Sequence, residues 1–305
     1  DCARSNDVSL VIIGRTAGED QDNNTNLGSY CLTETEEDLI CRVCEVSKCT
    51  VVVLNVGNII DMSWVEKYHP QAVLYAWQGG QEGGNGVADV LTGKVCACGK
   101  LTDTIAERIE YYPSTENFGD PYKNYYKEDI YVGYRYFDTF GIMPLYCFGY
   151  GKGYTDFSLV TKEVTADEKL VKVEVEVTNI GKVYPGKEVV QVYYSAPDGV
   201  MEKPTQELAG FAKTKLLMPG EKEVVTVTFA TEDMASYDSY DAAWVMEEGE
   251  YTIRVGNSSR TTEVAAIIDL DETVQTVLLK NVMKDKEFVK EIHHMVPIFD
   301  LELDD

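Results

Sequence analysis

The sequence predicts an α/β domain with a mainly parallel sheet, followed by an all-β sandwich and a short helical tail. Continuous apolar runs that alternate with helix signals predict the α/β domain, because parallel strands are usually covered on both faces. Short strands of alternating polarity, separated by turn residues, predict the sandwich. The predicted boundaries are residues 1–156 for the α/β domain, 157–270 for the sandwich and 271–305 for the tail.

The α/β domain begins with an apolar run at residues 10–13, which is predicted to be a buried strand. Thr33 and Glu36 have the spacing of a capping box, so a helix is expected to begin there and to run to Val46. Similar apolar runs and cap signals predict the other elements, which are strands at 51–56 and 72–77 and helices at 61–68 and 86–91.

The sandwich is predicted most clearly by residues 171–177, where valine alternates with lysine and glutamate. Such alternation is typical of a strand with one buried face. Turn residues follow at Asn179 and Gly181, and again at Pro219 and Gly220. Further strands are expected at 188–194, 207–217, 223–229 and 250–255, and apolar residues at helical spacing predict one or two helices within 273–296.

The composition limits the partners that the protein can have. The 305 residues include 52 acidic and 27 basic side chains, which gives a formal net charge of −25. A surface with this charge repels nucleic-acid phosphates and anionic lipids, so we expect no nucleic-acid or membrane partner. The sequence also contains no apolar run of the roughly 20 residues that a membrane-spanning helix requires.

The eight cysteines do not indicate a disulfide framework in a chain of this length. Cys41, Cys44 and Cys49 have the spacing C-x2-C-x4-C, which is also found in zinc sites. However, Cys41 and Cys44 occupy apolar-periodic positions of a helix, and no histidine is near them in sequence. We therefore expect reduced thiols in a cytoplasmic protein, Cys41 and Cys44 packed against the sheet, and neither a metal nor a cofactor.

The strongest functional signal is the segment Val11-Ile-Ile-Gly-Arg-Thr-Ala-Gly-Glu-Asp-Gln-Asp-Asn23. It joins an apolar strand to a glycine-containing loop that carries Glu19, Asp20 and Asp22. In open α/β sheets, ligands bind beyond the carboxyl ends of the strands, so this loop is expected to hold site residues.

The segment resembles the Gly-Arg-x-x-Gly-Glu-x-x-Asp signature of family 3 glycoside hydrolases, the exo-acting β-glucosidase family. It departs from the usual pattern at Asp20, where a glycine is common, and at Asn23, where an arginine usually follows the aspartate. The sandwich resembles the fibronectin-III-like module that follows the α/β sandwich domain in many of these enzymes. Further blocks that resemble the family occur in the expected order, at residues 77–93, 99–102, 129–138 and 148–155.

The resemblance implies that Glu19 is the general acid/base of a retaining β-glycosidase, which hydrolyses terminal, non-reducing β-linked sugars. Asp22 and Arg15 are then expected to contact the substrate or to shape the loop around it. Glu82, in a second glycine-rich loop, is the alternative acid. The implied substrate is a β-linked oligosaccharide or glycoside.

Family 3 enzymes also have a (β/α)8 barrel with an aspartate nucleophile, and the resemblance covers neither this barrel nor the first strands of the α/β sandwich domain. We therefore interpret the chain as a partial α/β sandwich domain with its fibronectin-III-like module, belonging to a larger enzyme. The isolated chain is expected to be inactive. We expect it to bind a complementary chain or segment that carries the barrel, or to form homo-oligomers.

Two other classes of protein stay open at this point. One is a non-catalytic structural or carbohydrate-binding scaffold that associates with a barrel-bearing chain, and the other is an α/β nucleotide- or sugar-binding protein. Glu19 in its loop favours the enzyme, and the missing G-x-G-x-x-G pattern disfavours nucleotide binding. Tyr131, Tyr134 and Tyr136 alternate as on a strand, which favours core packing over contact with a sugar.

Overall fold

A computed structural model describes residues 2–15, 23–123 and 125–280 of the chain. The α/β domain contains the strands β1 (Ser9–Gly14), β2 (Thr50–Asn55) and β3 (Ala72–Tyr75). They pair in parallel in the order β1-β2-β3, which confirms the predicted parallel sheet. Their carboxyl ends therefore lie at one edge of the sheet, and the loops that follow them lie side by side.

The connections between these strands form short helices. Helix α2 begins where the sequence predicts, because Thr33 Oγ1 accepts the Glu36 N–H at 3.2 Å and Glu36 Oε2 accepts the Thr33 N–H at 2.8 Å. No helix within the described ranges is long and apolar enough to cross a bilayer. The α-helices are α1 (Cys2–Ser5), α2 (Glu34–Val46), α3 (Ser63–Tyr68), α4 (Gly83–Leu91) and α5 (Tyr134–Thr139), and a 3-10 turn spans Ile109–Tyr111.

The core of this domain lies on one face of the sheet. Val11 and Ile13 of β1 are buried there with Ile40 of α2 and other apolar side chains. Leu10 and Ile12, which alternate with them, are 52% and 67% exposed. The prediction of a fully buried first strand is therefore wrong, because β1 lies at the end of the described sheet with only one face covered.

The second unit is a β-sandwich. One sheet has the order β4-β5-β8, a second has the order β12-β11-β6-β7, and a third has the order β13-β10-β9. A 3-10 turn spans Thr231–Met234. The strands are β4 (Phe157–Ala166), β5 (Leu170–Asn179), β6 (Val189–Ser195), β7 (Glu207–Lys213), β8 (Lys222–Ala230), β9 (Ser236–Asp238), β10 (Ala243–Met246), β11 (Gly249–Ser258), β12 (Thr261–Leu270) and β13 (Val274–Leu278).

The core of the sandwich confirms the alternation that predicts it. Val171, Val173, Val175 and Val177 of β5 are fully buried, and they share one cluster with side chains from β6 and β11. Each such side chain contributes on the order of 1.5–3 kcal/mol by leaving water. The polar residues between them face the other side of β5.

Residues 274–278 differ from the sequence prediction. They form strand β13, which pairs antiparallel with β10, where the apolar spacing predicts a helix. The free edge of β10 provides hydrogen-bond partners that outweigh a local preference for helix. The rest of the predicted helical tail, residues 281–305, lies outside the described residues.

The tyrosines of residues 131–136 also differ from the prediction of a strand. Gly133, with a φ of 61°, turns the chain immediately before α5, so Tyr134 and Tyr136 lie on a helix. Tyr134 is buried and stacks on Phe148, with ring centroids 4.8 Å apart. The expectation that this side chain packs in the core is therefore confirmed, although its secondary structure is not.

The two units meet in a polar interface, here called the domain interface. Asp138 of α5 accepts hydrogen bonds from Arg260 Nε, at the turn between β11 and β12, and from Gln206 Nε2 at 2.9 Å. The Leu208 N–H donates to the hydroxyl of Tyr134 at 2.8 Å. These bonds fix the sandwich against α5, so the sheet and the sandwich keep a defined orientation.

Candidate functional site

The candidate site lies at the carboxyl edge of the parallel sheet. Arg15 follows β1 directly, residues 56–62 connect β2 to α3, and Trp77 follows β3. The Arg15 N–H donates to Asn55 O at 3.1 Å, which extends the pairing of β1 and β2 to this edge. The first flank of the Glu19 loop is thus fixed beside the end of β2.

Arg15 is held entirely by the protein. Its side chain is 10% exposed and donates twice to the carboxylate of Glu36, at 2.6 and 2.9 Å. The other three N–H groups donate to the carbonyl oxygens of Gly14, Ser29 and Cys31. A guanidinium has five N–H donors, so all of them are engaged here. The geometry is that of a positioning residue, and contact between Arg15 and a substrate stays a prediction.

Glu36 provides the negative charge that matches Arg15. Burial by itself raises the pKa of Glu36, but the hydrogen bonds from Arg15 and from Thr33 outweigh that effect and hold the pKa below its ordinary value. Glu36 is therefore ionised at neutral pH, and the pair keeps its charge-assisted bonds. One carboxylate thus stabilises both the start of α2 and the end of β1.

The second flank of the Glu19 loop is fixed at Asn23. Its Nδ2 donates to Ile59 O at 2.8 Å, and its Oδ1 accepts the hydroxyl of Ser29 at 3.2 Å. Ser29 O also accepts from Arg15 Nε at 3.0 Å, so one residue joins both flanks of the loop. Sequence reasoning missed Ser29, because nothing in its surroundings resembles a motif.

Glu19 and Asp22 belong to residues 16–22, which lie outside the described residues, as does Asp20. Their roles as acid/base and substrate-binding residues stay predictions. What the structure describes is the support on either side, Arg15 and Asn23, and both are held at the carboxyl edge of the sheet.

Three tyrosines lie near this edge, one of them buried and two of them half-buried. The hydroxyl of Tyr75, at the end of β3, donates to Asn58 O at 2.9 Å. Tyr112 donates to Thr104 O at 2.9 Å, and burial raises its pKa to about 12. Burial also raises the pKa of Tyr30, whose hydroxyl has no hydrogen-bond partner among the described residues. These phenols are therefore neutral and act as a support for the loops rather than as acids.

Glu82, the alternative acid, lies elsewhere on this edge. It precedes α4, is exposed, and its carboxylate accepts a hydrogen bond from Asn85 Nδ2 at 2.5 Å. In the same loop Trp77 has a φ of 54°, which is rare for a bulky residue, and its ring lies 4.5 Å from that of Tyr75. The structure describes no contact that joins Glu82 to Arg15 or Asn23.

The eight cysteines are all free thiols. Cys44 packs against the core of the α/β domain, as predicted. Cys41 does not, because its Sγ lies at the helix surface 3.8 Å from Glu45 Oε1. In the part of the chain that the structure describes, no three histidine, cysteine or acidic side chains converge as metal ligands.

The geometry defines a class of protein, in which a parallel α/β sheet presents site loops at its carboxyl edge and is joined to a β-sandwich. Residues 1–154 match the model of the glycosyl hydrolase family 3 C-terminal domain, and residues 188–259 match the fibronectin type III-like domain. The chain belongs to glycosyl hydrolase family 3.

Several relatives of this chain are β-glucosidases. A β-glucosidase of Ruminococcus albus is 46% identical over 277 residues, which are 89% of this chain and 29% of that protein. The structure of a β-glucosidase from Paenibacillus barengoltzii has a TM-score of 0.89 and 44% identity, over 92% of this chain and 32% of that one. The structure of β-glucosidase 3B of Thermotoga neapolitana, in complex with α-D-glucose, has a TM-score of 0.83 and 41% identity, over 90% of this chain and 39% of that one.

These similarities cover only part of each relative. The chain spans 29% of the Ruminococcus albus protein and 32% of the Paenibacillus barengoltzii chain. The predicted fold, a family 3 α/β sandwich domain with a fibronectin-III-like module, is confirmed by the two family matches.

Proposed function

We propose that the chain is the part of a retaining, exo-acting β-glycosidase that supplies its general acid/base, Glu19. The observation that carries the proposal is the support of the Glu19 loop, whose two flanks are joined through Ser29 at the carboxyl edge of the sheet. A fixed support of this kind restricts where the loop can project a carboxylate. The similarity to β-glucosidases supports the choice of substrate class.

The proposed reaction needs a second carboxylate. In the first step an aspartate of the barrel attacks the anomeric carbon while Glu19 donates its proton to the departing glycosidic oxygen. In the second step Glu19 removes a proton from water, and the oxygen of that water displaces the aspartate from the sugar. Retaining enzymes place the two carboxylates about 5–5.5 Å apart, so Glu19 has to face the barrel across an interface between domains.

The barrel is proposed to belong to a complementary segment or chain. The exposed Leu10 and Ile12 support this, because they leave one face of β1 open beside the candidate site. Apolar surface of this kind usually marks an interface. The scaffold alternative differs in one respect, since it assigns no chemistry to Glu19.

The test is a Glu19→Ala substitution in the complete enzyme. We expect kcat/KM on a natural disaccharide to fall by on the order of 100-fold or more, because the leaving group then departs without a proton. An aryl β-glucoside with an activated leaving group should lose far less in its first step, and added azide should restore turnover by replacing the activated water. Glycosyl azide with retained configuration would identify the step that Glu19 serves.

The matched control is Glu82→Ala, since Glu82 is an exposed carboxylate at the same edge of the sheet. This substitution should leave the ratio of kcat/KM between the natural disaccharide and the activated aryl β-glucoside unchanged. Equal losses on both substrates with Glu19→Ala, together with no effect of azide, would contradict the acid/base role.

A further inference from the structure

Residues 23–31, which follow the Glu19 loop, form a compact turn that we name the flank turn. Its backbone is closed by the Tyr30 N–H, which donates to Asn24 O at 3.1 Å. The turn is also attached to the connection between β2 and α3, because the Asp61 N–H donates to Tyr30 O at 2.9 Å. The flank turn is therefore folded and anchored beside the carboxyl edge of the sheet.

The side chain of Ser29 makes two hydrogen bonds inside the flank turn. Its hydroxyl donates to Asn23 Oδ1 at 3.2 Å and accepts the Asn24 N–H at 3.1 Å. A hydroxyl can donate one hydrogen bond and accept others, so a single group can serve both partners. Asn23 and Asn24 are the first two described residues after the Glu19 loop. The Ser29 hydroxyl thus holds the chain at the point where that loop ends.

The backbone of Ser29 holds the opposite flank of the same loop. Its carbonyl oxygen accepts the Nε–H of Arg15 at 3.0 Å, and the guanidinium of Arg15 is fixed in turn by Glu36. Arg15 and Asn23 enclose residues 16–22, and both are bound to this one serine. Fixing the two ends of a short loop removes many of the conformations that it could otherwise adopt. Ser29 therefore sets the relative position of the two points that support the loop.

Support of this kind matters for proton transfer, because a general acid acts only within hydrogen-bond distance of the oxygen that it protonates. Displacing a catalytic group by about 1 Å can lower a rate by on the order of 100-fold. A poor leaving group depends most on the proton, so a displaced acid slows a natural disaccharide more than an activated aryl β-glucoside. The ratio of kcat/KM between these two substrates reports the placement of the acid, whereas a loss of folded enzyme lowers both values equally.

We propose that Ser29 is a positioning residue for the general acid/base, and that it acts through the loop whose two flanks it binds. The proposal rests on the proposed function, because it takes Glu19 to be the acid. Ser29 itself transfers no proton. Its hydroxyl holds Asn23 and Asn24, and its carbonyl oxygen holds Arg15, so that the loop between them presents the carboxylate of Glu19 from a fixed base.

The test is a Ser29→Ala substitution in the complete enzyme. The substitution removes the donor to Asn23 Oδ1 and the acceptor of the Asn24 N–H. We expect kcat/KM on the natural disaccharide to fall about tenfold further than kcat/KM on the activated aryl β-glucoside. Thermal unfolding of the variant checks that it is folded at the assay temperature. An unchanged ratio in a folded Ser29→Ala enzyme would overturn the proposal.

The matched control is Ser47→Ala, at the opposite edge of the same sheet. The Ser47 hydroxyl is also within hydrogen-bond distance of two partners, Ser9 Oγ and Cys49 O, both at 2.9 Å, and the residue is likewise half-buried. This variant should keep the wild-type ratio. Should Ser29→Ala not fold, Asn23→Ala removes one of the same hydrogen bonds from its other end, and the same change in the ratio is expected.

A second measurement places Ser29→Ala in the Glu19→Ala enzyme. The ratio should then stay that of Glu19→Ala alone, because the carboxylate that Ser29 positions is absent. Effects of the two substitutions that multiply would overturn the positioning role. A ratio that changes with Glu19→Ala but not with Ser29→Ala would also overturn it and would leave the acid/base role standing. If Glu19→Ala itself keeps the wild-type ratio, the proposed function fails, and the positioning role fails with it.

Discussion

Arg15 and Glu36 form an ion pair with two hydrogen bonds, of 2.6 and 2.9 Å, that ties the end of β1 to the first turn of α2. The same carboxylate accepts the N–H of Thr33 and so completes the cap of the helix. The end of β1, the start of α2 and the first flank of the Glu19 loop therefore all depend on this one pair of side chains.

We predict that Arg15→Ala lowers the free energy of unfolding by about 2–3 kcal/mol, because it leaves Glu36 partly buried without its partner. Urea unfolding of the purified chain measures this. Arg42→Ala is the control, since Arg42 pairs with Asp38 on the surface and such pairs are worth less than about 1 kcal/mol. Equal losses of unfolding free energy in the two variants would show that the Arg15 pair stabilises the fold no more than a surface ion pair does.

A second prediction concerns the stability of the fold at acid pH. The hydrogen bonds from Arg15 and Thr33 outweigh the effect of burial and hold the pKa of Glu36 below its ordinary value of 4.5. The folded state then binds fewer protons at Glu36 than the unfolded chain does, so this contribution to stability is present above pH 4.5 and is lost as the pH falls through the folded-state pKa. The free energy of unfolding, measured with urea at a series of pH values from neutral to below 4.5, should fall more steeply for the wild type than for Glu36→Gln. Parallel pH profiles for the two proteins would contradict this prediction.

The domain interface gives a third prediction. Besides its bond to Asp138, Arg260 Nη2 donates to Phe137 O and Ile142 O, both at 2.9 Å. Arg260→Ala should therefore loosen the contact between the two units, and calorimetry should show one thermal transition in the wild type and two in the variant. Lys222→Ala, which removes an exposed pair with Glu176 within the sandwich, should keep a single transition.

A fourth prediction is that the 305-residue chain has no glycosidase activity by itself, although it carries Glu19, the proposed general acid/base. One carboxylate cannot complete a two-carboxylate reaction, since no glycosyl-enzyme intermediate forms without the nucleophile. An aryl β-glucoside assay should detect turnover only after a separately produced polypeptide with the barrel is added. Turnover by the chain alone would mean that the chain contains a complete catalytic site and that the nucleophile does not belong to the barrel.

The sequence predicts those features that depend on neighbours along the chain. Thr33 and Glu36 predict the start of α2 because a capping box is a local pattern. The alternation at residues 171–177 predicts β5 for the same reason, since one face of that strand is buried along its whole length. The apolar runs predict the parallel sheet equally well.

Features that depend on distant contacts were not predictable in this way. The pairing of Arg15 with Glu36 joins residues 21 positions apart, and neither one alone indicates the other. Tyr134 is placed on a helix because Gly133 turns the chain with a positive φ, which a short alternating pattern does not reveal. β1 is apolar on both faces, and only the packing of Val11 and Ile13 with Ile40 of α2 shows that the face with Leu10 and Ile12 stays open.

Strand β13 has a practical consequence for exchanging modules between relatives. The sequence suggests a junction after residue 270, but Val277 of β13 lies beside Trp244 of β10, and the Leu279 N–H donates to Ala242 O at 2.8 Å. A sandwich cut at Leu270 would lose the strand that covers this edge and would expose more of Trp244, which is 41% exposed with β13 in place. Grafting, fusion to a reporter or separate production of the module therefore calls for a junction beyond Leu279.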